Sequence, residues 1–209
     1  EIYSGGRGVP KDHKKAAKWY TLSAEGGNTT AQAVVGLMYQ NGLGVPKDHK
    51  KAAKWYTLSA EGGNTRAQLS IGVMYENGLG VAQDNKIAVK WYTLAAKGGS
   101  SIGQMKLGQA YYIGKLLPQD YKTAFKWLTL SAEQGLGISQ GFLGLMNYLG
   151  QGVNRDDVYA YMWANIAIRN GHGKSIKLKD KLTNEMTASE IEEAQRLIKE
   201  CIAKKYKDC

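Results

Sequence analysis

A chain of 209 residues with 43% hydrophobic content has enough apolar side chains for a folded core, which excludes the disordered class. No apolar run reaches the roughly 18 residues of a membrane-crossing helix. The net charge of +10 points either to an acidic partner or to lysines that keep exposed helix faces soluble.

In chain order, the first recognisable segment is Tyr3 to Val9, which aligns with Tyr39 to Val45. The helix expected to precede it is missing, so the chain is expected to be a fragment of a longer precursor. Next comes the decapeptide Lys11 to Tyr20, which returns unchanged as residues 47–56 and, diverged, as residues 83–92. Later copies begin at Gln119 and Arg155. Trp19, Trp55, Trp91, Trp127 and Trp163 follow one another at a spacing of 36 residues, and so do Gly36, Gly72, Gly108 and Gly144. A fixed period of this size is the mark of a helical repeat array. Residues 1–173 are therefore expected to form that array, its first repeat truncated, with capping helices and a tail in 174–209.

Within residues 29–63, Ala31, Val34, Val35, Met38 and Tyr39 recur at helical spacing and predict a first helix, A. Asn41-Gly42-Leu43-Gly44 should end it with a left-handed glycine. Asp48 is placed to cap a second helix, B, and it recurs as Asp12, Asp84, Asp120 and Asp156. Helix B carries Ala52, Trp55, Tyr56 and Ser59 and stops at Glu61-Gly62-Gly63. Ala16, Ala52, Ala88, Ala124 and Ala160, with the glycines of the Gly36 series, should let helices A and B approach closely. Trp and Tyr should fill the space between repeats. The basic stretch 169–181 is expected to be a solvated turn. Beyond it, Thr187 to Glu190 has the spacing of a capping box, followed by Ile191, Ala194, Ile198, Cys201 and Ile202 on one face. Cys201 and Cys209 would lie about 12 Å apart on a continuous helix. They either bridge, if the chain folds back, or remain free thiols.

The segment Ala67-x-x-x-Ile71-Gly72-x-x-Tyr75-x-x-Gly78-x-Gly80-Val81, followed by Asp84, Ala88, Trp91, Ala96 and Gly99, resembles the Sel-one-like repeat family. The resemblance covers residues 3 to about 172. It implies an all-α fold: a right-handed α/α superhelical solenoid of about five repeats with a C-terminal capping helix. It also implies a non-catalytic scaffold or adaptor that binds a protein or peptide in a concave groove. Many bacterial members are exported, and the ending Glu193 to Leu197, then Cys201, Tyr206 and Cys209, is similar to bacterial C-termini. This implies a Cys201–Cys209 disulfide and a periplasmic or secreted location, with a cytoplasmic one as the alternative. The alternative function is a cell-wall or β-lactam-ligand binder or hydrolase, like cysteine-rich relatives. The fourth turn, Gly114-Lys115-Leu116-Leu117-Pro118, departs from the pattern by lacking its second glycine.

No residue set proposes itself for catalysis, metal or cofactor. Gly99-Ser100-Ser101-Ile102-Gly103 has the spacing of a nucleophile elbow, but it aligns with the ordinary turn at Gly63 to Ala67. Gly173-Lys174-Ser175 lacks the first glycine of a phosphate loop, position 168 being Ile. His13 and His49 are the same position in adjacent repeats, too far apart for one metal. Two lysine rows, Lys14/50/86/122 and Lys18/54/90/126, should form a ridge on the B helices able to touch anionic surfaces. Nucleic acid is not the expected partner, because no exposed aromatics interleave with it. Positions that vary along helix A nominate the partner-binding residues: Gln40, Glu76, Met105, Lys106, Gln109, Tyr112 and Tyr148. The expected state is a monomer.

Overall fold

The protein's computed structural model describes residues 12–209. The Tyr3–Val9 segment lies outside the described residues. Among these, eleven α-helices and one short 3-10 turn occur and no strand. Five B helices, α1 (His13–Glu25), α3 (His49–Glu61), α5 (Asn85–Lys97), α7 (Tyr121–Ala132) and α9 (Asp157–Arg169), alternate with four A helices. The A helices are α2 (Thr29–Asn41), α4 (Thr65–Asn77), α6 (Ser101–Ile113) and α8 (Gly137–Leu149). Then follow the turn Gly173–Ser175, α10 (Ile176–Glu185) and α11 (Ala188–Ala203). The helices gather into two compact units, one through Gly98 and one from Gly99 to Cys209.

Each B helix starts where its aspartate stops the backbone from fraying. Asp12, Asp48, Asp84, Asp120 and Asp156 accept hydrogen bonds from the backbone N–H three residues on, at 2.9 to 3.0 Å. Asn28, Asn64 and Ser100 cap α2, α4 and α6 in the same way. Leu136 stands at the equivalent point before α8 and supplies no side-chain cap. Gly42 and its three counterparts end the A helices in the left-handed conformation, as the ladder predicts.

The other glycine ladder sets how closely the two helices of a repeat meet. A methyl added at Gly36 would lie 2.7 Å from the Tyr56 ring, and one at Gly72 would lie 2.7 Å from Tyr92. At Gly108 the neighbour is Leu128, also at 2.7 Å. The alanines opposite, Ala52, Ala88, Ala124 and Ala160, are completely buried. The tyrosines therefore pack inside a helix pair, whereas Trp55 reaches the cluster of Ala24, Ala31 and Val35. Tyr56 also belongs to one cluster with Ala67, Ile71 and Met74 of the next repeat, so the aromatics do fill the space between repeats, and the Gly36 contact inside the pair adds to this.

Repeats are also joined by polar groups that no periodicity of apolar residues reveals. The buried Gln32, Gln68 and Gln140 carboxamides donate to the carbonyls of Ala24, Ala60 and Ala132 at the end of the preceding B helix. Within a repeat, Ser59 and Ser131 donate to the carbonyls of Thr29 and Ser101 at the start of the paired A helix. A buried donor left without such an acceptor would cost about 1–3 kcal/mol.

At the C-terminus the stretch 169–181 is not a solvated turn. Residues 176–185 are helical because Leu178 and Leu182 stand one turn apart and pack toward Ala160, Tyr161 and Ala194. α11 opens with a reciprocal capping box between Thr187 and Glu190. Its Ala194 and Cys201 are buried, and Cys201, Leu197 and Ile198 belong to the core around Met162, Trp163 and Ile166. After Ala203 the chain folds back with Lys205, Tyr206 and Asp208 at positive φ, a conformation costly for residues with a Cβ. Cys201 and Cys209 are bridged there, their Cα atoms 5.3 Å apart. Tyr206 donates to the Asn170 side chain, and Lys207 pairs with Glu133.

Candidate functional site

Helix A presents four rows of side chains, and in the second unit they surround a recess of about 640 Å³. Its floor is apolar: Ile138, Phe142 and Leu145 of α8. Gln109 of α6 stands on one side, and the turn Gly171 to Lys174 on the other. The recess exists because of one small residue. Gly141 occupies the row of Ala33, Leu69 and Met105, and a methyl there would meet the His172 ring at 2.3 Å. With glycine in place, the imidazole lies over α8 and its Nδ1 is 2.9 Å from the Ser175 hydroxyl.

Burial lowers the pKa of His172 from its ordinary 6.5, and the neighbouring Lys174 charge lowers it further. His172 is therefore neutral at pH 7, and Lys174 is the cation of this rim. Ser175 is buried under the turn and does not line the recess. The His172–Ser175 contact spans three residues and ties the turn together.

The nominated residues divide between distinct roles. Gln109 lines the recess. Tyr112 meets its floor edge-on through Phe142, ring centroids 5.2 Å apart, and packs on Tyr121 at 5.4 Å. Burial, then the nearby Tyr121, raises the pKa of its hydroxyl. Lys106 is half-buried on the same helix. Met105 points into the core and supports the site from beneath instead of facing a ligand, because its row is the one that meets the next helix.

Tyr148 lies apart from the recess, its ring between Arg155 at 5.0 Å and Lys181 at 5.1 Å. Both cations have raised pKa values, Arg155 through Asp157 and Lys181 through Tyr148. Gln40 and Glu76 belong to the first unit and accept hydrogen bonds from the Tyr56 and Tyr92 hydroxyls. Burial pushes the Tyr56 hydroxyl up to about 12; that of Tyr92 is raised by burial and by Glu76. These two positions thus close their own helix pairs.

Ile138, Leu145, His172 and Lys174 were not nominated from the sequence. The available signal was apolar residues recurring at outward positions, Ile102 with Ile138 and Leu37 with Leu145. On the B helices, all eight lysines of the two predicted rows are exposed. Among the described residues no group of three or more His, Cys, Asp or Glu could hold a metal ion, and no helix is long and apolar enough to cross a membrane.

The Sel1 repeat model matches residues 1–28, 29–64, 65–100, 101–136 and 138–172. The chain belongs to the Sel1 repeat family. Its fold is the all-α solenoid of that family, whose members commonly serve as scaffolds for protein interactions and are generally non-catalytic. A solved Sel1 repeat protein from Oxalobacter formigenes is 31% identical, with a TM-score of 0.80 over 85% of this chain and 73% of that one. A protective antigen of uropathogenic Escherichia coli is 26% identical with a TM-score of 0.50, covering 98% of this chain and 60% of its own. A Sel1 repeat protein of Klebsiella pneumoniae shares the fold at 22% identity and a TM-score of 0.52, over 82% and 86% of the two chains. A comparison with curated proteins finds no match.

Proposed function

We propose that this Sel1 repeat protein is a non-catalytic scaffold that holds a protein or peptide against the A-helix face of its second unit. The observation that carries this reading is the recess between Gln109, Phe142, Leu145 and Lys174. Its floor is apolar and half-exposed, and its rim offers one carboxamide and one cation. Such a surface fits a segment that buries one or two apolar side chains and directs a carboxylate or carbonyl to the edge. Tyr112 supports the floor through Phe142, and Lys106 adds positive charge on the same helix. The Cys201–Cys209 bridge supports an oxidising location, periplasmic or secreted.

The test is affinity for a partner purified from the source cells. Leu145→Glu and Lys174→Glu should each weaken binding at least tenfold by isothermal titration. Leu37→Glu, at the matching position of the first unit, should leave it unchanged. Equal affinity of all three variants and the parent chain would refute the assignment.

A further inference from the structure

The B-helix face of the first unit carries a second recess, of about 540 Å³. Ala53 and Leu58 of α3, with Tyr75 and Val81, make its apolar lining. Thr57 offers a hydroxyl, and Lys50 and Lys54 stand on its edge. A position 72 residues further on, the second unit has a recess in the same register. Thr57, Tyr75 and Val81 correspond to Thr129, Asn147 and Val153, which line that one. There the chain's own C-terminal segment forms part of the wall, because Cys209 stands beside Phe125 and Trp163. The second-unit recess is smaller, about 350 Å³. Phe125 is the counterpart of Ala53, and its ring occupies space that the alanine leaves open.

The protein thus contains its own example of what this register accommodates: a short segment turned back on itself, placed against the B helices with a compact apolar group inward. The first unit has the same recess, wider. Its lysines have no carboxylate within ion-pair distance among the described residues, and Leu58 is 49% exposed. We propose that this recess docks a short peptide segment of a partner protein bearing a bulky apolar side chain flanked by carboxylates. The apolar side chain fills the volume above Ala53, and the carboxylates meet Lys50 and Lys54, one helical turn apart. The chain's own tail is a poor occupant, because Lys204, Lys205 and Lys207 would face those two lysines. This surface is separate from the recess around Phe142.

The experiment uses the whole oxidised chain and a fluorescein-labelled hexapeptide, Glu-Asp-Leu-Phe-Asp-Glu, followed by fluorescence anisotropy and amide chemical shifts. Binding should shift the amides of Thr57, Tyr75 and Val81. Ala53→Phe copies the residue that the second unit already tolerates. It should lower affinity at least tenfold while both lysines remain. Lys50→Glu with Lys54→Glu should lower it as far without altering the apolar lining, which keeps the test valid if Ala53→Phe disturbs the fold. Replacing Leu-Phe by Ser-Ser in the peptide should abolish the shifts. Undiminished binding of the Ser-Ser peptide would show a polyanion surface, such as one for nucleic acid or lipid headgroups, and would overturn the proposal. So would unchanged affinity of the Ala53→Phe chain, or no binding by the parent chain.

Discussion

The first unit repeats itself, whereas the second gives each repeat its own solution. In the first, α1 and α3 share one sequence, and Thr29 and Thr65 face Gly62 and Gly98. In the second, Ser101 and Gln134 stand at the first pair of positions, and Gly137 meets the Asn170 backbone at the second. The longer side chains there do work the glycines cannot. Gln134 and Asn170 donate to the buried carboxamide oxygens of Gln104 and Gln140. The matching oxygens of Gln32 and Gln68 have no such partner among the described residues. A period of near-identical copies therefore sets the fold, and departures from it reshape the cavities and add the polar closures through which a surface becomes specific.

Five substitutions would break or sharpen this contrast. The largest effect is expected from Trp163→Ala, since Trp163 is 4% exposed in the second core while Trp19, its repeat counterpart, is 61% exposed. Thermal or urea unfolding should show a loss of about 3–5 kcal/mol for Trp163→Ala and less than about 0.5 for Trp19→Ala. Next is Cys209→Ser. Opening a loop whose ends are 8 residues apart should cost about 2–3 kcal/mol. Hydrogen exchange should show the loss in α9 and α11 and leave α2 to α4 as protected as before. Asp84→Ala removes the cap on the Ile87 N–H and should cost about 1 kcal/mol.

The smallest effect concerns pH. His172 holds a proton less tightly when folded than its ordinary 6.5, so the unfolded chain protonates first as pH falls. Its contribution is complete above that value and is lost as pH drops through the lowered pKa. Carbon-detected NMR titration should place the His172 midpoint below 6.5, and His172→Gln should remove that part of the acid sensitivity.

Most of the fold was legible because a helical repeat writes its geometry many times. Caps, glycine ends and close-contact alanines each recur in register, so single ambiguities cancel. The stretch 169–181 escaped because its helix depends on Leu178 and Leu182 packing on α9, in a segment dense with lysine and outside the period. The candidate site was legible only in part. Variation along helix A led to Gln109 and Tyr112, but it also led to Met105, whose variation reflects core filling. Variation alone cannot separate a lining residue from one that adjusts the core to its neighbours. Gly141 and His172 were out of reach because the recess arises from a missing side chain and from a turn positioned by the cap.

The most direct test of the division of labour between the units is photo-crosslinking at two matched positions, 145 and 37, in the intact oxidised chain. A benzophenone side chain at 145 should capture the purified partner, and one at 37 should not. Equal capture at both positions, or capture only at 37, would contradict the assignment of the partner surface to the second unit.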